Sequence, residues 1–302
     1  MSVALLVAAY GLVAVFLVGL VVRSVRLARM PVHLRWELAP IPHEKGKGHY
    51  GGSYLEELDW WTKPRKKSLV AEARYMLLEI VFLKAVWEHN RRLWWFSFPF
   101  HVGLYLVAGA GALLVLATVG GLAGIDAAGG PVLRAAATAV AAAGYALGAV
   151  GVLGLLWKRL FDPRLRDFTS PVSQFNLVLL LAVFATGLGA LGTADYVGGV
   201  TTVLGALCTA DASVAAPGMV TAHVGVTLLF LAYLPFTPMM HFVAKYFTYH
   251  EVRWNDEPMA RGSRMERDVE KLLAQPVTWA GPHVHANGTK TWVDIATEET
   301  RP

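Results

Sequence analysis

Apolar residues along this chain gather into long uninterrupted runs instead of alternating with polar ones. Val3 to Val22 is twenty residues without a charge, closed by Arg23, Arg26 and Arg29. At about 1.5 Å per residue, such a run crosses the roughly 30 Å hydrocarbon core of a bilayer as a helix. No basic residue precedes it and no A-x-A site follows it, so a retained helix is expected in place of a cleaved leader. Further spans are expected at about 93–119, 132–157, 172–193 and 218–241. Gly and Ala recur in them, as they do where neighbouring membrane helices approach closely. The stretch 196–210 is too short and glycine-rich to span, and reads as interfacial or folded back against the bundle. The pattern therefore predicts an all-α fold, a polytopic membrane bundle of five transmembrane helices.

Between the runs the pattern changes character. Residues 30–67 are rich in Pro, Gly and charge, end in TKPRKK, and read as a loop. From Ser68 the apolar positions Leu69, Ala73, Met76, Leu77, Ile80, Leu83 and Trp87 recur every three or four residues among charged ones. That spacing predicts an amphipathic helix around 68–92, on the membrane surface or docking a partner. The tail beyond 250 is polar and too short for much of a core, which gives a membrane domain over 1–250 and a polar tail over 251–302.

Composition agrees with a membrane protein: 55% of the 302 residues are hydrophobic and only 16% are charged. Soluble chains carry nearer a quarter charged residues. The +5 net charge suggests nucleic acid until the charges are located. Of 27 Lys and Arg residues, 14 fall in 23–92, 4 in 158–171 and 8 beyond 241, leaving Arg134 as the single exception. This asymmetry is the positive-inside pattern. It predicts an outside N-terminus, cytoplasmic basic loops and C-terminus, and contact with anionic lipid in place of nucleic acid. The single cysteine, Cys208, excludes a disulfide framework, a CxxC motif and the CxxCH attachment of a c-type haem.

Ionisable residues inside spans are costly and usually have a task or a partner. Of ten histidines, His101 and His223 lie within expected spans and His241 ends the last one. His101 stands nine residues beyond Arg92 and His241 four before Lys245, which puts both rings at similar depth near the basic edge. Two imidazoles from different helices at one depth can take opposite faces of a haem iron. Gly103 and the run Ala108 to Gly111 offer small residues beside that ligand. His223 and His241 are eighteen residues apart, five turns of an unbroken helix and so on one face, although Pro235 and Pro238 should bend it. At the depth of His223 the other spans supply no second histidine. Only Tyr10, Tyr145, Met219 and Cys208 are near, and none is a usual partner for a b haem. The residues thus support one haem site, at His101 and His241. His223 remains open as a quinone contact, a bond to a backbone carbonyl, or an iron ligand with an unexpected partner.

Three segments carry a resemblance: FHVGLYL at 100–106, DPRLRDFTSP at 162–171 and AHVGVTLLFLAYLPFTPMMHFVAKYF at 222–247. On these the chain resembles the gamma-subunit family of respiratory nitrate reductases over roughly 1–250. It looks closest to the branch paired with heterodisulfide-reductase-like iron–sulfur proteins, including that of the dissimilatory sulfite reductase-associated membrane complex. The resemblance implies a cell (inner) membrane subunit carrying haem b, which passes electrons between membrane quinone, such as menaquinone, and a cytoplasmic iron–sulfur subunit. That partner would be heterodisulfide-reductase-like or nitrate-reductase-beta-like. It makes His101 and His241 the inner haem pair and His223 one ligand of an outer haem. The family's other outer ligand falls at Gly111, so one haem is favoured over two. With the inner haem alone, quinone would react near Arg91, Arg92, Trp94, Trp95 and Lys245.

A non-redox anchor or a transporter is the competing reading, on the short 196–210 stretch and the proline-interrupted last span. A non-haem metal site lacks HExxH or clustered carboxylates. Catalytic triads, P-loops and dinucleotide fingerprints are missing as well, so the chain is expected to work as a subunit and not to complete a reaction alone.

Overall fold

The computed structural model describes residues 2–30, 44–46, 53–64, 66–124, 131–247, 259–281 and 284–299. Most of the 30–67 loop, with His33, His43 and His49, lies outside them, as do His250 and His283. The chain divides into two compact units, Met1–Val21 with Met76–Met239 and Val22–Tyr75 with Met240–Pro302.

All five apolar runs form helices long and apolar enough to cross a membrane. They are α1 (Val3–Ala28), α4 (Arg91–Leu122), α5 (Pro131–Phe161), α7 (Pro171–Leu191) and α9 (Gly218–Tyr233), with the single turn α6 (Pro163–Arg166) between α5 and α7. The last continues through a 3-10 turn, Leu234–Phe236, before a second turn, Pro238–Met240, and the short helix α10 (His241–Lys245). Pro235 and Pro238 cannot donate to a preceding carbonyl, and the α-helix gives way at that point. The expected continuous helix over 218–241 is therefore segmented. The stretch 196–210 forms α8 (Tyr196–Thr209), folded against α4 and α9. Among the described residues there is no strand, only three isolated bridges. The chain is a multi-pass membrane protein.

The amphipathic segment is present as α2 (Leu69–Phe82) and α3 (Lys84–His89). Ser68 Oγ accepts from the Ala71 N–H at 3.3 Å and so opens α2. Leu83 separates the two helices with φ 51° and ψ 49°. That left-handed geometry costs a non-glycine residue about 1–2 kcal/mol. Trp94 Nε1 donates to the Phe82 carbonyl at 2.8 Å and the Tyr105 hydroxyl to that of Ile80 at 2.8 Å. These two side chains tie the end of α2 to α4.

Lipid tails are as apolar as leucine, so close packing and buried hydrogen bonds must join the helices. The pairing of α4 with α5 shows how. A Cβ built on Gly103 would lie 2.4 Å from the Gly148 backbone nitrogen and 2.7 Å from the Gly144 carbonyl oxygen. Only glycine permits that backbone approach. Gly103 therefore serves the helix crossing, not the clearance for a flat macrocycle that its place near His101 suggested. α1 is mostly exposed along its length, as a lipid-facing helix is, and is fixed by the Tyr10 hydroxyl donating to the Leu207 carbonyl at 2.5 Å.

In the second unit, Glu44 is buried and accepts from Ser53 Oγ at 2.5 Å and from the Tyr54 N–H at 2.9 Å. The tail contributes α11 (Arg264–Leu273), an exposed charged helix, and α12 (Trp292–Thr297), opened by a reciprocal capping box between Thr291 and Asp294.

Candidate functional site

α4 carries His101 one turn after Ser97. The ring Nδ1 lies 2.7 Å from the Ser97 carbonyl oxygen, which can only accept, so Nδ1 carries the proton. The lone pair is then on Nε2, the tautomer that an axial ligand needs, and the bond to the carbonyl orients the ring. Phe100 meets the imidazole edge-on at 5.0 Å between centroids. His101 is half-buried. His241 belongs to the second unit, where it is exposed and opens α10 after the two proline turns. Since those turns interrupt the α-helix, the five-turn spacing does not by itself set His223 and His241 on one face.

His223 is buried in the interior of the first unit, between α5, α7 and α8. Thr186 of α7 donates its hydroxyl to the Ala182 carbonyl at 2.7 Å. Its oxygen therefore accepts from His223 Nδ1 at 3.1 Å. That leaves Nε2 as the acceptor of the Tyr145 hydroxyl at 2.7 Å, and Tyr145 in turn accepts from Tyr196 at 3.1 Å. Each proton in this chain has one direction that satisfies every partner, anchored by a helix carbonyl at one end. The predicted bond to a backbone carbonyl is made through Thr186 and not by the imidazole directly.

The surroundings are filled. The Tyr145 ring sits over Gly187, where a Cβ would lie 2.4 Å from it, and the Phe184 ring covers Gly148 just as closely. Phe184 and Val220 are fully buried. An iron atom on Nε2 would need the place held by the Tyr145 hydroxyl, and a porphyrin would need the space of these rings. Gly111, where the second outer ligand falls by resemblance, lies on an exposed part of α4 with nothing within 4 Å of a Cβ built there. The residues around His223 do not fit a haem. Sequence reasoning found Tyr145 but weighed it only as an iron ligand. It missed Thr186 and Tyr196, whose sole signal was a hydroxyl within an apolar stretch.

The other sequence candidates divide. Arg91 lies over the Trp87 ring at 4.5 Å, and Trp94 stacks on Phe98 at 4.4 Å, so both already serve packing. Trp95 is exposed, and Lys245 ends α10 in the second unit. Arg134, the exception to the charge asymmetry, is neutralised by Asp195, both of whose carboxylate oxygens accept from its Nη2 at 2.5 and 2.6 Å. Asp195 also caps α8, and the Gly198 N–H with the Arg134 guanidinium holds its carboxyl below the usual range. No group of three or more His, Cys, Asp or Glu able to hold a metal ion occurs among the described residues.

These features define a helical membrane protein with five apolar helices long enough to span, one histidine buried in the interior of the first unit and another whose Nδ1 is held by a backbone carbonyl. The nitrate reductase gamma subunit family matches residues 86–255, more than half of the chain, and the protein belongs to that family. Its members are membrane haem b subunits of redox complexes. No curated protein and no solved structure matches the chain.

Proposed function

We propose that this protein is the haem b membrane subunit of a quinone-linked respiratory oxidoreductase. It exchanges electrons between membrane quinone and an iron–sulfur subunit on its basic, cytoplasmic side. The observation that carries the reading is the His101 tautomer, fixed by the Ser97 carbonyl, in a chain of the gamma-subunit family. By the resemblance, His101 and His241 would be the residues that hold the haem. Once bound, the group supplies one-electron exchange; the protein supplies orientation and a low-dielectric setting. Ser97 would hold the His101 ring in the tautomer whose Nε2 can act as a ligand, and the α4–α5 contact at Gly103 fixes the packing of that helix. The resemblance at 100–106, 162–171 and 222–247 supports a heterodisulfide-reductase-like or nitrate-reductase-beta-like partner and an inner-membrane location, and the charge asymmetry supports a cytoplasmic basic side.

Reduced-minus-oxidised spectra of purified membranes test this. A b-type difference spectrum is expected in the wild type and is expected to vanish in His101→Ala and in His241→Ala. A haem-replete preparation of well-expressed protein without that spectrum would return the chain to a non-redox anchor.

A further inference from the structure

Where α4 begins and α5 ends, Asn90, Arg92, Lys158, Asp162 and Arg164 line a cavity of about 220 Å³. Its charges are unbalanced. Asp162 is the single carboxylate and is already engaged, accepting from the Arg164 N–H at 3.1 Å and from Lys158 Nζ at 3.4 Å. Asn90 Oδ1 is committed to the Leu93 N–H at 3.1 Å. Arg92 and the Arg164 guanidinium form no ion pair among the described residues, so two positive charges remain uncompensated. The neighbouring Arg91 does not share the task, because it is stacked on Trp87.

The same helix ends expose large aromatic side chains. Trp95 is 64% exposed, Trp157 62% and Phe161 60%. Trp95 lies one turn after Arg92, and Trp157 and Phe161 flank Lys158 on α5. Tryptophan at this position in a spanning helix marks the boundary between headgroups and acyl chains. A basic recess and exposed aromatic rings therefore share the same two helix ends.

We propose that this recess binds the phosphate of an anionic phospholipid, with the acyl chains lying along Trp95 and Trp157. The cations select for phosphate. The lack of a spare carboxylate selects against a choline or ethanolamine headgroup, whose ammonium would face Arg92 and Arg164. The aromatic flank favours lipid over free phosphate, because only a lipid occupies both the charged recess and the apolar rings. Basic pockets between membrane helices on the cytoplasmic side recognise headgroups by this chemistry. The site needs no haem, so it stands or falls apart from the redox reading.

Native mass spectrometry of the detergent-purified full chain, titrated with phosphatidylglycerol, phosphatidylcholine or inorganic phosphate, tests the proposal. One phosphatidylglycerol per chain is expected to bind saturably and in preference to phosphatidylcholine. Arg92→Gln with Arg164→Gln should weaken that binding by about thirty-fold. Arg92→Lys with Arg164→Lys should keep most of it, which controls for folding. Arg261→Gln with Arg264→Gln, an equal charge loss in the second unit, should leave it unchanged. Equal binding of the two lipids, or equal weakening by both Gln pairs, would overturn the site. Displacement of the lipid by millimolar phosphate would show a small-anion site and overturn the lipid assignment.

Discussion

Tyr145→Phe isolates the chemistry around the buried His223, because it removes one oxygen and leaves the ring on Gly187. Two hydrogen bonds go with that oxygen: the 2.7 Å bond to His223 Nε2 and the 3.1 Å bond from Tyr196. His223 is only 6% exposed and Tyr196 5%, so neither orphan reaches water. A buried group left without its partner costs about 1–3 kcal/mol. Hydrogen bonds between membrane helices average nearer 0.6 and reach about 1.7 kcal/mol. A loss of about 1–2 kcal/mol follows, read as a fall of roughly 2–6 °C in the melting temperature of the detergent-solubilised protein. Adding His223→Phe should cost less than the two single losses together, since the same bond is removed twice. Haem per chain and the b-type spectrum should be unchanged in all three variants. If Tyr145→Phe melts like the wild type, or if His223→Phe removes haem, the network is not what holds this region and the reasoning fails.

Two further outcomes follow from the packing and the charges. Gly103→Ala should destabilise by about 1–3 kcal/mol, because its Cβ would meet the α5 backbone, which cannot move aside as a side chain would. Gly111→Ala, with open space at the same atom, should be neutral or up to about 1 kcal/mol stabilising, and parallel melts separate the two. Asp195 has a lowered pKa, first through the Gly198 N–H and then through Arg134, so its contribution is present above the ordinary carboxylate range and lost as pH falls through the lower folded value. Asp195→Asn should therefore lower the melting temperature at pH 7, and the gap from wild type should close below about pH 4. A gap that persists in acid would assign the effect to the cap geometry alone.

The spans were legible because length and lack of charge suffice to identify them, and α8 because its fourteen residues are too few to cross. The segmentation of the last span was legible only as a bend. Which of the turns at Pro235 and Pro238 absorb the missing donors depends on neighbours that the linear pattern does not contain. The partners of His223 were illegible for a deeper reason. In a soluble helix the apolar stripe marks the buried face, but lipid and protein interior are equally apolar, so α7 and α9 carry no stripe to say that Thr186 and His223 face one another. Gly103 shows the same ambiguity. A small residue beside a histidine suits either a macrocycle or a second backbone, and only the position of α5 decides.

The absence of a histidine at Gly111 is a sequence fact, but it acquires its meaning from Tyr145. A missing ligand alone would leave a gap beside His223 for another group to enter. Here the gap is closed by a tyrosine whose hydroxyl takes the nitrogen that iron would need, and by Phe184 and Val220 packed to full burial. On the proposed function, electron exchange is then confined to the ring held by His101 and His241. Tunnelling weakens steeply with separation, so on that reading quinone would have to react on the basic side. Pyridine haemochrome assay against protein concentration should return one haem per chain, and reductive titration a single one-electron wave. Two haems per chain, or a second wave that His223→Phe abolishes, would restore an outer haem and require Tyr145 to leave the position it occupies.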